Sequence, residues 1–386
     1  MKDSSFHNSN HLIGISHAVD LFEQSDLFQE IDNDTVLRLS QLGGAPGFSN
    51  TRSILKSTGI ETRRLLSETV SPHDLACRLL QCLEADSGVA AGDFDQILLC
   101  HSHTDPTAAD EMAHTLAMRV GLPESSVTGF NFGCSGYLKL LDEGVQLLVN
   151  KPAGSRVALL TVETPEFWHD AADRLFCGIV SAGATATILE AGRGLPVSAV
   201  RSDDFEVPAG RRPNPAPLFH RETADVFDFR GQPCRRTVMR MNAEPVFLNG
   251  IELMLDNLRS ALLSLDVEEG QRVVVAPHQP SGKLLKALIA AASQEFPHLE
   301  FLNNLRGFGN TISSSVPTLV TRLPEVLAEN GLDPITEGDH VVLLAAGICM
   351  DEIADHMSAG HACVHWKANA LNVKPDFRES GIVHAA

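Results

Sequence analysis

The sequence contains few aromatic residues, no closely spaced cysteine pair and no long apolar run. It has one Tyr and two Trp in 386 residues, and none of its eight cysteines forms a CxxC pair. Disulfide frameworks are typical of small secreted domains, so we expect reduced thiols. No apolar run reaches about 18 residues, and the N-terminal residues lack a signal-peptide core. These absences predict a soluble, cytoplasmic protein without a membrane span.

Positive charge is also scarce. The formal net charge is −19 at pH 7, which argues against nucleic-acid binding because phosphate contacts require an excess of Lys and Arg. Hydrophobic residues make up 44% of the chain and charged residues 20%. This balance supplies enough apolar material for a large core and does not indicate long disordered segments.

Short aliphatic runs alternate with helical patterns, which predicts an α/β fold. Strands are predicted at 96–102, 126–132, 156–163, 184–190, 197–202, 272–279, 300–305, 340–347 and 362–367. Helices are predicted at 71–84, 108–120, 135–150, 246–264, 281–296 and 313–329. The spacing is similar in both halves, so we predict a duplicated α/β unit with domains at 1–192 and 193–386.

Residues 201–240 differ in composition from the rest of the chain. They contain eight Arg against six Asp plus Glu and show weak periodicity. One interpretation is a solvated loop whose arginines pair with nearby acids. The other is an insertion that covers the substrate or docks a carrier, because long loops are often functional.

The stretch GFNFGCSGYLKLLDEG, residues 129–144, places Cys134 between a predicted strand and an amphipathic helix. A thiol reacts as its thiolate, and a helix N-terminus lowers a thiol pKa through its unpaired N–H groups. Gly133 and Gly136 would permit a sharp turn and close approach of a substrate. Cys134 is therefore a candidate nucleophile, although a cysteine beside glycines is also a common packing residue.

Two further junctions carry polar side chains. His278 ends the apolar strand in VVVAPHQPSGKLL, and Asn310 lies in the Gly-flanked turn of NNLRGFGNTISSSVPTLV. Both directly precede predicted helices, and such junctions gather at the carboxyl ends of strands, where ligands bind. Cys, His and Asn side chains at one edge of a sheet are suited to acyl transfer. The thiolate attacks a carbonyl carbon, and the other two side chains stabilise the negative charge that develops.

These three stretches resemble the β-ketoacyl-acyl carrier protein synthase III family of the thiolase superfamily. STGIETRR (57–64), FDQILLCHSHTDP and DRLFCGIVSAGATATILE (173–190) also resemble family segments in the same order. The resemblance implies a duplicated five-layer thiolase fold and a homodimer. It also implies an acyltransferase that needs no cofactor and takes acyl-coenzyme A or acyl carrier protein thioesters as substrates.

The resemblance further implies residue roles. Cys134 would accept the acyl group, and His278 and Asn310 would polarise the thioester carbonyl of a malonyl-type extender during decarboxylative Claisen condensation. The backbone N–H groups of Cys134 and Gly347 would form the oxyanion hole. Arg174 matches a family arginine near the coenzyme A entrance.

The sequence departs from the family where the acyl donor binds. Ser53 and Ser57 replace the Trp and Arg that grip the adenine, and residues 181–186 replace a Gly-Asp-Gly-Ala-Gly-Ala segment. The predicted helix 246–264 has Arg259 as its one basic residue, although acidic carrier proteins need a positive docking surface. These departures favour a divergent enzyme of secondary-metabolite or polyketide type over the housekeeping fatty-acid enzyme.

Three alternatives remain. In the first, the protein would transfer an acyl group to an oxygen or nitrogen nucleophile, with His278 as general base. In the second, it would be a non-catalytic subunit of a heterodimer. As a third alternative, His101, His103 and Asp105 form the metal site of a hydrolase, although Pro106 stands where such sites usually have another His. Glu163 ends a strand, but such a residue more often pairs with an arginine, so we leave it out of the catalytic set.

Overall fold

The computed structural model describes residues 12–44, 46–212, 216–350 and 355–368. The strands in these ranges are β1 Ile13–Asp20, β2 Phe28–Asp32, β3 Thr62–Leu66, β4 Gln96–Cys100, β5 Val127–Phe130, β6 Arg156–Glu163, β7 Gly183–Ala191, β8 Leu195–Glu206, β9 Phe219–Phe227, β10 Pro233–Met241, β11 Val273–Pro277, β12 Glu300–Phe301, β13 His340–Ile348 and β14 His356–His365. The α-helices are α1 Asn33–Leu39, α2 Thr51–Thr58, α3 Pro72–Ser87, α4 Ala108–Val120, α5 Gly136–Leu148, α6 Ala243–Leu263, α7 Gly282–Glu295, α8 Leu305–Phe308, α9 Ser315–Thr321 and α10 Leu323–Glu329.

Two sets of five strands have the same arrangement. The first set runs β5-β4-β6-β7-β1 across the sheet and the second runs β12-β11-β13-β14-β8. In each set the second, third and fourth strands along the chain are parallel, and the fifth is antiparallel to both of its neighbours. The two sets join where Ile15 of β1 pairs with Leu195 of β8. The α/β thiolase fold expected from the resemblance is therefore present.

The helices lie in layers around these sheets. One buried cluster joins α5, α9 and α10 to strands of both sets, so these helices form the central layer. A second cluster packs α3 and α4 against the outer face of the first set, and a third packs α6 and α7 against the second set. Strands covered on both faces are apolar on both, which explains the continuous aliphatic runs in β6, β11 and β13.

Several elements were not predicted from the sequence. Among them is β1, whose central residues Ser16 and His17 are polar but buried, so the apolar run is interrupted. The predicted helix 313–329 is two helices, because the chain leaves helical geometry at Arg322, directly before α10 with its early proline. The proposed domains 1–192 and 193–386 stay a prediction, although the two strand sets meet between Ala191 and Leu195.

The interpretation of residues 201–240 as a loop was wrong. The chain extends β8 to Glu206 and then forms the antiparallel hairpin of β9 and β10, with Phe227 opposite Pro233. The Asp228 carboxylate accepts the backbone N–H groups of Arg230 and Gln232 and thereby stabilises the turn. Arg-rich strands exposed on one face lack the apolar alternation that reveals a strand in the sequence.

The arginines of this segment are largely paired with acids, as one interpretation expected. Six of the eight form ion pairs, namely Arg201, Arg211, Arg212, Arg230, Arg235 and Arg240. The other two, Arg221 and Arg236, donate to the backbone oxygens of Met350 and Glu166. These bonds fix the hairpin to the rest of the molecule.

Among the helices in the described ranges, none is both long enough and apolar enough to cross a membrane.

Candidate active site

Cys134 lies in a single 3-10 turn, Gly133–Ser135, between β5 and α5. The turn is tightly confined on both sides. Gly133 has a φ of +72°, and a Cβ there would lie 2.4 Å from the Ile348 oxygen. A Cβ at Gly136 would lie 2.3 Å from the Cys100 sulfur. The glycines beside Cys134 are therefore required by the geometry of the turn.

Gly347, proposed as an oxyanion-hole residue, lies directly against Cys134. A Cβ on Gly347 would be 2.6 Å from the Cys134 Cβ and 2.9 Å from its sulfur. Gly347 belongs to β13, where it is paired with Ser358 of β14. The second strand set thus supplies one wall of the cysteine site, and this wall tolerates no side chain.

The Cys134 thiol is protonated at neutral pH. Burial, together with the smaller effect of the nearby Glu163 carboxylate, raises its pKa to about 12. The start of α5 was expected to lower this pKa, but loss of solvation outweighs the helix N-terminus. Cys134 is therefore a thiol in the resting protein.

His278 follows β11 and is held by the start of α9. Its backbone N–H donates to Leu344 of β13 over 2.6 Å, and its Nδ1 lies 3.1 Å from Ser315 Oγ. The same Ser315 oxygen accepts the Gln279 N–H at 2.8 Å. Nε2 is buried and has no partner within the described residues. Burial lowers the His278 pKa to about 3, so the ring is neutral.

Asn310 is fixed by contacts at both ends of its side chain. Its amide nitrogen donates to the Pro280 oxygen at 3.3 Å, and its amide oxygen accepts the Ile312 N–H at 2.9 Å. Its backbone bonds Ile179 and Ser181 of the loop before β7. Pro280 is two residues from His278, so the histidine and asparagine segments are bonded to each other.

The STGIETRR segment positions this loop. The buried Arg63 donates to the Gly178 oxygen, and Arg64 exchanges hydrogen bonds with Ser181 and Ala182. The loop they hold is the one that pairs with Asn310. This role follows from contacts between residues more than a hundred positions apart, which sequence reasoning did not find.

The structure brings the three candidate turns into one region. The cysteine turn contacts β13 and the turn Ile312–Ser314 that follows Asn310, and β13 also accepts the His278 N–H. Ser135 beside Cys134 donates to Ser358 of β14 at 2.6 Å. The roles of Cys134, His278, Asn310 and Gly347 stay predictions, but their segments are interlocked.

Glu163 was left out of the catalytic set because an arginine partner was expected, and that interpretation was wrong. Its Oε1 accepts the hydroxyls of Ser102, at 2.9 Å, and Ser313. Its Oε2 accepts the Ser102 N–H at 3.2 Å. Burial raises the Glu163 pKa to about 8. In the sequence, the signal for this buried carboxyl was a Glu at the end of an otherwise apolar strand.

The donor side of the site differs from the family pattern in the structure as well. Ser53 completes the capping box of α2 with Asn50, and Ser57 donates to the Ile54 oxygen at 3.0 Å. Both serines thus stabilise α2 through hydrogen bonds. Arg174 is exposed, with its guanidinium carbon 5.1 Å from the centre of the Phe48 ring.

The metal alternative is not supported. His101 Nδ1 bonds the Val162 oxygen at 2.7 Å, and His103 Nδ1 accepts the Asp105 N–H at 2.9 Å. The Asp105 carboxylate accepts two bonds from Thr107. Across the described ranges, no group of three or more His, Cys, Asp or Glu side chains is arranged to hold a metal ion. The HSHTDP motif is therefore a strand exit whose polar groups bond to the protein.

The chain is similar in sequence to known β-ketoacyl-[acyl-carrier-protein] synthases III. The chain is 25% identical over 299 residues to a β-ketoacyl-[acyl-carrier-protein] synthase III of Ruegeria pomeroyi, covering 76% of this chain and 86% of that protein. A synthase III of Trichodesmium erythraeum is also 25% identical over 299 residues, with 76% and 85% covered. These similarities confirm the resemblance seen in the motifs. No family model matches the chain.

Solved structures confirm the fold. The 3-oxoacyl-(acyl carrier protein) synthase III of Pseudomonas aeruginosa superposes with a TM-score of 0.66 at 20% identity, covering 92% of this chain and 98% of that one. The priming β-ketosynthase of the R1128 polyketide biosynthetic pathway gives a TM-score of 0.68 at 17% identity, with 92% and 97% covered.

Proposed function

We propose that the protein is a ketosynthase III-like acyltransferase. It accepts an acyl group on Cys134 and condenses it with a malonyl-type thioester by a decarboxylative Claisen reaction, in fatty-acid-like or polyketide biosynthesis. The observation that carries this proposal is the interlocking of the Cys134, His278 and Asn310 turns around β13. The names of the relatives supply independent support.

In the first step the Cys134 sulfur attacks the thioester carbonyl of the donor. The donor C–S bond breaks, the acyl group moves to Cys134, and the thiol proton leaves with the released donor thiol. The negative charge on the carbonyl oxygen is stabilised by backbone N–H groups, for which Cys134 and Gly347 are the candidates. Gly347 lies directly against Cys134, since a Cβ built on it would be 2.6 Å from the Cys134 Cβ.

In the second step the extender loses carbon dioxide, and the electron pair of that C–C bond forms an enolate. The enolate carbon attacks the acyl carbonyl on Cys134, which releases the β-ketoacyl thioester and restores the cysteine. The enolate oxygen requires hydrogen-bond donors. The unpartnered Nε2 of His278 and the amide nitrogen of Asn310 are the available groups.

The environment of His278 favours condensation over general-base catalysis. Ser315 Oγ already accepts the Gln279 N–H, so its own proton is available to His278 Nδ1. A neutral ring that accepts a hydrogen bond at Nδ1 carries its proton on Nε2. In this tautomer Nε2–H can donate to a carbonyl oxygen and polarise it. With its pKa lowered to about 3, the ring is also a weak base.

A positive surface favours thioester donors carried on coenzyme A or an acyl carrier protein. The end of α2 contacts the start of α7, since a Cβ on Gly59 would be 3.2 Å from the Gly282 Cα. These helices expose Arg52, Lys56, Lys283 and Lys286, for which the described part of the chain shows no ion pair. On α6, in contrast, Arg259 is paired with Asp256 and Glu295. Phosphates or an acidic carrier would suit the α2–α7 surface.

A homodimer and a cytoplasmic location complete the proposal, and both follow from the resemblance and composition. Light scattering of the purified protein measures the first, and fractionation of cells measures the second.

The test is the intact mass of the protein after incubation with a panel of acyl-coenzyme A thioesters. Wild type is expected to gain one acyl mass and Cys134→Ala none. Cys363→Ala alters a buried cysteine on the face of β14 that packs against α6, and it is expected to gain the same mass as wild type. Labelling of Cys134→Ala at the wild-type level would contradict the nucleophile assignment. An acyl-enzyme that reacts with alcohols or amines but not with malonyl thioesters would replace condensation by acyl transfer.

A further inference from the structure

Glu163 is a fully buried carboxyl group held only by hydroxyl and amide donors. Ser102, just after β4, donates its hydroxyl and its backbone N–H, and Ser313 donates its hydroxyl from the turn before α9. Within the described ranges no lysine or arginine pairs with it. The carboxyl thus joins the two strand sets without a compensating positive charge.

This carboxyl is linked to the cysteine turn through Ser313. A Cβ on Gly136, the first residue of α5, would be 3.1 Å from the Ser313 Cβ. The turn containing Ser313 also contacts the turn containing Cys134. A negative charge on Glu163 is therefore placed near the helix N-terminus that would otherwise stabilise a thiolate at Cys134.

We propose that Glu163 and Cys134 share a single negative charge, so that the Cys134 thiolate forms only while Glu163 holds a proton. Glu163 is then a positioning residue that controls the ionisation of the nucleophile. The exchange is balanced: a thiol and a carboxylate become a thiolate and a carboxylic acid, with no change in net charge. This inference rests on the proposed role of Cys134.

The physical reason is repulsion in a buried site. Two negative charges at short range without a cation cannot both form at neutral pH, and the pair titrates in two separate steps. Burial raises the Glu163 pKa to about 8, and the Glu163 charge contributes to the raised pKa of Cys134. His101, which directly follows β4, is neutral here because burial lowers its pKa to about 4.

The pair predicts a bend in the reactivity of Cys134 with pH. Below the Glu163 pKa of about 8 the carboxyl is neutral, and the thiolate fraction rises with pH as for any thiol. Above it, ionisation of Glu163 opposes ionisation of Cys134, so the thiolate fraction levels off. Glu163→Gln removes the second charge, and its thiolate fraction continues to rise.

The experiment measures the alkylation rate of Cys134 by iodoacetamide from pH 6.5 to about pH 10, read by peptide mass spectrometry. No acyl donor is needed, so this test is independent of the proposed reaction. We expect equal rates for wild type and Glu163→Gln at pH 7, and a rate about tenfold higher for Glu163→Gln at about pH 9.5. The matched control is Glu166→Gln, which changes a buried carboxyl with a pKa raised to about 7 that is not a cause of the Cys134 shift.

Ser102→Ala is a second variant that tests the inference if Glu163→Gln does not fold. It keeps the carboxyl but removes one hydroxyl donor to its charged form, so the bend is expected to move to higher pH. A wild-type profile without a bend, or a bend that persists in Glu163→Gln, would overturn the inference. The same effect in Glu166→Gln would also overturn it. If Cys134 is acylated but its alkylation rate shows no bend with pH, the proposed function holds and this inference fails.

Discussion

The two strand sets share one arrangement but end their strands in different side chains. After its third strand, the first set makes the tight turn Gly133–Ser135 into α5, which puts Cys134 at a helix start. The second set reaches the corresponding central helix, α9, by a longer connection that carries Asn310. After the second strand, the first set has Ser102 and the second set has His278. The fourth strand ends in Glu163 in one set and in Ile348 in the other.

In the proposed reaction, this difference divides the chemistry between the halves. The first half holds Cys134, the proposed nucleophile, and a carboxyl group, and the second half holds the proposed polarising groups, His278 and Asn310, and the wall at Gly347. Hydrogen bonds that cross between the halves, from Ser313 to Glu163 and from Ser135 to Ser358, keep the two sets in register. The two strand sets thus have equivalent positions, and in the proposed reaction their different side chains take part in different steps.

The largest expected effect separates the steps assigned to the two halves. His278→Ala and Asn310→Ala should retain acyl labelling of Cys134 while condensation with a malonyl thioester falls by about 10² to 10³-fold, because each removes one donor to the enolate. His361→Ala, which changes a buried histidine of β14 that bonds Asn257 of α6, is the matched control and should retain both steps. Equal loss of labelling and condensation would instead assign these residues to both steps.

A smaller effect is expected at the contact between the halves. Gly347→Ala places a Cβ 2.6 Å from the Cys134 Cβ, so the cysteine turn must shift and the rate of acyl labelling should fall by about tenfold or more. Gly250→Ala is the control, since its Cβ would meet its nearest neighbour, Met357, at an ordinary 3.8 Å. Labelling of Gly347→Ala at the wild-type rate would show that the wall is not part of the reacting geometry.

The smallest effect concerns stability at acid pH. Burial lowers the pKa of His169 in the first half to about 3 and that of His361 in the second half to about 4. An unfolded histidine binds a proton below about pH 6.5 and these folded ones do not, so their contribution is intact above that pH and is lost as pH falls toward the folded pKa. The expected loss for each is on the order of 1 kcal/mol per pH unit.

Melting temperatures of His169→Gln and His361→Gln between pH 6.5 and 4.5 measure this effect. Both variants should show a flatter pH dependence than wild type, by similar amounts if the halves unfold together. Comparison with wild type cancels the opposite contribution of Glu163 and Glu166, whose raised pKa values favour the folded state at acid pH. Two separate transitions, each moved by one variant, would show that the halves unfold independently.

The sequence by itself determined the fold class, most core strands and the positions of the three candidate turns. Buried strands need continuous apolar runs and sharp turns need glycine, so these features are local and visible in order along the chain. The hairpin of β9 and β10 was missed because its exposed strands need no such run.

Only the tertiary structure decided how these turns act on one another. Ser315 beside His278, Arg63 behind the Asn310 loop and Gly347 against Cys134 are pairs far apart in sequence. The same holds for the charge state of the site: burial raises the pKa values of Cys134 and Glu163, and the Glu163 charge also raises that of Cys134. A helix N-terminus can be identified from sequence, but the loss of solvation that outweighs it depends on everything packed around the thiol.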